Sequence, residues 1–144
     1  MPLPKEELYT IGDIYSLPEG ERAELIDGQI YDMAPPSRHH QEISMELSTA
    51  IQSYIRSKKG NCRVYAAPFA VQLDEDSHTY VEPDISVICD PNKLDERGCK
   101  GAPDWIIEIV SPASRRMDYY TKLFRYRTAG VREYWIVDPS KNQI

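Results

Sequence analysis

Apolar residues recur along this chain with two periods, and their alternation predicts its elements. A short helix is expected over residues 11–17 behind Thr10 as N-cap. Residues 24–31 read as a hairpin, because Asp27-Gly28 supplies the positive φ values of a tight turn between two strand-like flanks. Pro35-Pro36 breaks the chain. Ser37 then caps a helix to about residue 57, in which Ile43, Leu47, Ile51, Tyr54 and Ile55 form an apolar stripe. Lys58-Lys59-Gly60-Asn61 is a basic helix end with a glycine stop. Strands are expected over 63–66 and 69–73, followed by an acidic turn over 74–77. Another strand runs over 81–88, a polar loop over 90–103 and a further strand over 105–110. Ser114 is the N-cap of a helix reaching Ala129, where Gly130 stops it. Leu123, Phe124 and Tyr120 are placed on its buried stripe, with Phe124 in the core. Residues 134–137 form a final strand closed by Asp138-Pro139. The order predicts an α/β fold: a mixed central β-sheet flanked by α-helices, with an N-terminal β-hairpin.

Composition narrows this picture little. A chain of 144 residues, 41% hydrophobic, suits one domain over residues 1–144, with residues 1–4 loose. No run approaches the roughly 20 apolar residues of a membrane helix, and none follows basic residues as in a signal peptide. Cys62, Cys89 and Cys99 show no CxxC spacing and read as thiols of a reducing cytoplasm, the expected location. Charge is more informative. A net −6 argues against a wide electrostatic footprint on nucleic acid. Yet residues 115–132 hold Arg115, Arg116, Lys122, Arg125, Arg127 and Arg132 against Asp118 alone. That local basic stretch is either a solvated helix face or a phosphate-contacting patch, with Arg115, Arg116 and Arg125 as the expected contacts.

The candidate chemistry lies in two acids, Asp84 and Glu108, each within a strand-like apolar run. Burying an unpaired carboxylate among β-branched residues is costly, so each requires a cation, a hydrogen-bond donor or solvent. Strand-end or surface positions would satisfy them without any site. Two such acids followed by a lysine-bearing helix point instead to a divalent-metal site for phosphodiester hydrolysis. Mg²⁺ suits that reaction because it takes one or two carboxylates together with waters and phosphate oxygens. The Ile109 carbonyl is the expected third oxygen. A lysine is needed to orient water or offset charge. Two residues after Glu108 stands Val110, which cannot serve, so Lys122 is the replacement. Taken alone, Asp118 and Lys122 at i, i+4 would be only a helix-surface ion pair. His39-His40 lacks zinc-ligand spacing.

Pro83-Asp84 followed by Glu108-Ile109-Val110, in this order of elements, resembles the PD-(D/E)XK restriction-endonuclease-like superfamily. More closely it resembles the bacterial Uma family of candidate endonucleases. The segments that carry the likeness are Glu24-Leu25-Ile26-Asp27-Gly28, His40-Gln41, Glu82-Pro83-Asp84, Gly101-Ala102-Pro103-Asp104, Glu108-Ile109-Val110-Ser111-Pro112, Asp118 to Lys122, and Ala129-Gly130-Val131-Arg132-Glu133-Tyr134-Trp135-Ile136-Val137-Asp138-Pro139.

The resemblance implies that Asp84 and Glu108, with the Ile109 carbonyl, hold Mg²⁺ or Mn²⁺, and that Lys122 is the catalytic lysine moved onto the helix. It places Glu24 among the catalytic residues and His40 beside the site. It further implies cleavage of DNA by a homodimer. Similar proteins continue beyond Asp138-Pro139, so this chain is expected to be shortened at its C-terminus. Two alternatives stay open. One is a catalytically inactive nuclease-fold module that binds nucleic acid or protein. The other is a hydrolase of a smaller phosphate ester, which suits the acidic surface.

Overall fold

In a computed structural model, the described residues are 7–74 and 77–144; the expected loose N-terminus and part of the acidic turn lie outside them. Helix α1 (Ile11–Tyr15) begins where Asp13 accepts the backbone N–H of Thr10 at 2.8 Å, a reciprocal N-terminal cap. Strands β1 (Ala23–Ile26) and β2 (Gln29–Asp32) form the expected hairpin, with Asp27 and Gly28 both at positive φ. Helix α2 (Arg38–Ser57) starts at Ser37, whose hydroxyl accepts the His40 N–H at 3.1 Å. Of its expected stripe, Ile43, Leu47 and Ile51 pack inward, whereas Tyr54 is exposed with the Lys58 ammonium over its ring.

The remaining strands are β3 (Arg63–Ala66), β4 (Ala70–Gln72), β5 (Tyr80–Val81), β6 (Ile85–Ile88), β7 (Leu94–Asp95), β8 (Gly98–Lys100), β9 (Trp105–Ile109) and β10 (Glu133–Val137). Among the described residues they form two sheets. The expected mixed central sheet is four-stranded, in the order β10-β9-β6-β3, with β10 parallel to β9 and the other pairs antiparallel. A six-stranded sheet, β2-β1-β5-β4-β8-β7, packs against it. Ile26, Val71, Leu73, Val81 and Cys99 from the six-stranded sheet meet Ile88 and Ile106 from the central sheet. On the opposite face, Ile85, Ile107, Ile109 and Val137 pack against α2. Because side chains alternate along a strand, β9 sends Ile107 and Ile109 toward α2 and Ile106 toward the other sheet. Glu108 is therefore turned away from α2.

Four expectations are corrected. The single strand over 81–88 is interrupted at Glu82-Pro83-Asp84, where proline has no N–H to give a ladder. The chain crosses there from one sheet to the other, which leaves Asp84 at the crossing. The polar stretch 90–103 is not wholly loop. It holds a 3-10 turn (Pro91–Lys93) and the β7–β8 hairpin, whose turn is organised by Asp95 accepting the N–H groups of Arg97 and Gly98. Cys62 and Cys89 are a disulfide rather than two thiols. They stand one step beyond the pair Arg63↔Ile88 in the antiparallel β3–β6 register, so strand pairing sets them opposite each other. Cys99 is free and buried.

The fourth correction concerns the last helix. Ser114 opens it through its carbonyl, which accepts the Asp118 N–H at 2.8 Å, while its hydroxyl goes to the Asp118 side chain instead of a cap. A π-helical turn (Met117–Thr121) leads into α3 (Lys122–Ala129), and Gly130 ends it at φ 96°. The inward positions are Asp118, Lys122 and Tyr126, spaced by four. Tyr120, Leu123 and Phe124 consequently face outward, and Phe124 is 65% exposed rather than in the core. Among the described residues, no helix is long and apolar enough to cross a membrane.

Candidate active site

The inward face of the last helix, the outward side of β9 and the hairpin strand β1 meet at one buried cluster. Lys122 Nζ stands 2.5 Å from Glu108 Oε2, 2.9 Å from Glu24 Oε1 and 4.0 Å from Asp118 Oδ1. Asp84 and Glu108 interlock through the main chain. The Asp84 N–H donates to Glu108 Oε1 at 2.8 Å, and the Ile109 N–H donates to Asp84 Oδ2 at 2.7 Å. His40, in the first turn of α2, brings Nε2 to 3.2 Å from Asp84 Oδ1. Asp84, Glu108, Lys122, Glu24, Ile109 and His40 thus lie together, drawn from five elements or their junctions.

The electrostatics are those of a buried acid cluster around one lysine. Burial opposes the charge on Lys122, but the carboxylates of Glu108 and Glu24 outweigh it and hold the ammonium charged. Glu108 is pushed upward by burial, against the pull of Lys122, with Asp84 and Asp118 adding repulsion. Burial likewise lifts Asp118 to about 6, opposed by Lys122 and by the Ser114 hydroxyl, which donates to it at 2.7 Å. His40 is raised, chiefly by its bond to Asp84.

Four carboxyl groups (Glu24, Asp84, Glu108 and Asp118) crowd around one lysine, and burial with their mutual repulsion raises Glu108 and Asp118; a bound cation would favour their charged forms. Asp84 and Glu108 are hard oxygen donors, the type that Mg²⁺ or Mn²⁺ takes. Among the described residues, no three His, Cys, Asp or Glu side chains are set as a ready-made cage. The donor set fits an ion that keeps several waters and takes few protein ligands. Asp84 lies at the accessible side of the cluster, its side chain 21% exposed beside His40, whereas Glu108 is 3% exposed.

The helix arginines are less available than their charge promised. Arg115 grips Asp138 through both terminal nitrogens, at 2.7 and 3.1 Å, and reaches Ser140. Arg125 is paired with Asp74 and Asp27. Arg116 is exposed. Asp138 also accepts from the Tyr119 hydroxyl, and the Arg115 guanidinium foremost holds its carboxyl well below the usual range. A depressed pKa contributes stability that is present above the unfolded value, near 4, and is lost as pH falls through the folded value. Asp138→Asn is therefore expected to lower the unfolding midpoint at pH 7, with the gap to wild type narrowing progressively as pH falls below about 4. Urea melts across that range check it, and a gap independent of pH would contradict it.

Several participants were not singled out from the sequence. Tyr126 donates to Glu108 Oε2 at 3.1 Å. Its signal was its position four residues beyond Lys122, on the same helix face. Glu82 uses its N–H to fix Glu24 Oε2 at 2.9 Å and its carboxylate to take Arg22 at 2.6 Å. Tyr134 donates to the Asp118 carbonyl at 2.8 Å. These last contacts cross between elements, and no local pattern announces them.

Comparison with known proteins identifies the family and the fold. Two uncharacterized proteins of Synechocystis sp., slr1290 and sll1609, are 29% identical over 86% of this chain and 26% identical over 82%. The chain spans about two thirds of their lengths, 64% and 67% respectively. A crystal structure described as a putative nuclease belonging to DUF820, from Anabaena variabilis, matches with a TM-score of 0.73 at 26% identity. That match covers 91% of this chain and 74% of the other. The family Uma2, described as "Putative restriction endonuclease", matches residues 7–144. With nearly its whole length matched and a nuclease fold around the buried acid cluster, the chain belongs to the Uma2 family of restriction-endonuclease-like proteins.

Proposed function

We propose that this protein is a divalent-metal-dependent endonuclease that hydrolyses DNA phosphodiester bonds. The observation that carries the reading is the contact of Lys122 with Glu108, itself interlocked with Asp84, inside a nuclease fold. Asp84 and Glu108, with the Ile109 carbonyl, would hold Mg²⁺ or Mn²⁺. When bound, such an ion supplies positive charge to the phosphate and acidifies water for attack at phosphorus.

The chain's own residues do the rest. Lys122 presents a fixed ammonium to orient the attacking water or offset charge that develops on the phosphate. Glu24 also holds that ammonium, and Tyr126 fixes the Glu108 carboxylate by its hydroxyl. Of the three arginines expected to contact phosphate, Arg116 is the exposed one, since Arg115 and Arg125 are engaged by carboxylates. One site cuts one strand. A duplex cut on both strands is served by two copies related by a two-fold axis, and we include a homodimer in the proposal.

The acidic net charge favours a second reading, hydrolysis of a smaller phosphate ester. Rates on supercoiled plasmid and on a small aryl phosphodiester, each across a salt series in Mn²⁺, separate the two. DNA cleavage should fall steeply with salt through loss of phosphate contacts. Turnover of the small ester alone, nearly indifferent to salt, would favour the second reading.

A further inference from the structure

His40 faces Asp84, the more exposed of the two acids proposed to hold the ion. Its Nε2 lies 3.2 Å from Asp84 Oδ1, while the other oxygen of that carboxylate is held by the Ile109 N–H at 2.7 Å. Imidazole and carboxylate therefore face each other at the accessible side of the cluster, with side-chain exposures of 19% for His40 and 21% for Asp84. Two donors at right angles around one octahedral ion, each about 2.1 Å from it, stand about 3 Å apart. The His40–Asp84 separation is close to that spacing. The Ser37 cap fixes the backbone N–H of His40, and α2 packs on the central sheet, so the ring is held by a rigid element.

We infer that His40 is a nitrogen ligand of the divalent ion, sharing it with Asp84 and the Ile109 carbonyl, and that the site therefore selects Mn²⁺ over Mg²⁺. This rests on the metal-dependent reading above. The chemistry follows from ligand type. Mg²⁺ takes oxygen and releases its waters reluctantly, whereas an imidazole favours ions of the first transition row. An all-oxygen site would show less discrimination.

The test is equilibrium binding of Mn²⁺ and of Mg²⁺ to the whole chain by calorimetry, together with pulsed electron paramagnetic resonance of the Mn²⁺-loaded protein. Wild type should bind Mn²⁺ roughly tenfold or more tightly than Mg²⁺ and show a directly coordinated ¹⁴N coupling. His40→Asn should lose that coupling and weaken Mn²⁺ by roughly tenfold or more, while Mg²⁺ changes little. The coupling in wild type is read without any variant, so a poorly folded His40→Asn protein does not blunt the test. Mn²⁺ binding that Glu108→Ala weakens, with no ¹⁴N coupling and no effect of His40→Asn, would overturn the role of His40 and leave the metal site standing. Failure of wild type to bind either ion would overturn both.

Discussion

Lys122→Ala is expected to cost the fold about 3–5 kcal/mol, because it leaves the buried Glu108 carboxylate without its counter-charge. Lys122 and Glu108 side chains are 6% and 3% exposed, so water cannot take the lysine's place at little cost. Glu24 also loses its partner, and the Tyr126 hydroxyl is left as the one side-chain donor to Glu108 Oε2 among the described residues. Urea unfolding in chelator measures the loss without any contribution from bound metal. Removing both charges in Lys122→Met/Glu108→Gln should recover part of it, since a buried pair replaced as a unit costs less than one broken in half. A Lys122→Ala protein within about 1 kcal/mol of wild type, the range of an exposed ion pair, would contradict the burial of this cluster.

Gly98→Ala is the other large effect. Gly98 sits at φ 145°, and a Cβ there would fall 2.1 Å from the Ala70 carbonyl oxygen and 3.0 Å from its carbon. The obstacle is backbone, not a flexible side chain, and it belongs to the strand that β8 pairs with in the register Ala70↔Gly98. The strand must move, which loosens the β4–β8 ladder and the β7–β8 hairpin that hangs from it. A loss of about 2–4 kcal/mol is expected from the combined clash and backbone strain. Gly101→Ala is the control: it shares a positive φ, but the nearest atoms to its Cβ are those of the Lys93 side chain at 3.8 Å. Its cost should be about 1 kcal/mol, from the backbone alone. Equal losses in the two variants would show that close approach to Ala70 is not what requires glycine at position 98.

How far the sequence reaches is visible in these same residues. Asp27-Gly28, Ser37 and Gly130 mark a turn, a helix start and a helix stop through local chemistry, and the elements bounded by them stand where their periodicity places them. The acids and the lysine were legible as types, for Asp84 and Glu108 are costly in apolar runs and Lys122 follows on a helix. Their mutual contact was not. Lys122 reaches Glu24 across 98 residues, and only the meeting of two sheets under the last helix brings them together. The same limit explains the errors. The pairing of Cys62 with Cys89 follows from the β3–β6 register, which no spacing in the chain reveals. The helical spacing of Tyr120, Leu123 and Phe124 reads as a buried stripe with Phe124 in the core. The inward face of its helix is instead the charged one, since Glu108 and Glu24 must be neutralised by Lys122.

The central claim, a metal-dependent nuclease centre at Asp84, Glu108 and Lys122, is tested most directly by nicking of supercoiled plasmid in Mn²⁺. Wild type and Glu108→Ala should be purified side by side and shown to be folded by their circular dichroism. The account predicts nicking by wild type that EDTA abolishes, and at least roughly a hundredfold less by the variant, as for loss of a group that stabilises the transition state. Nicking that persists undiminished in folded Glu108→Ala, or its absence from wild type, would contradict it.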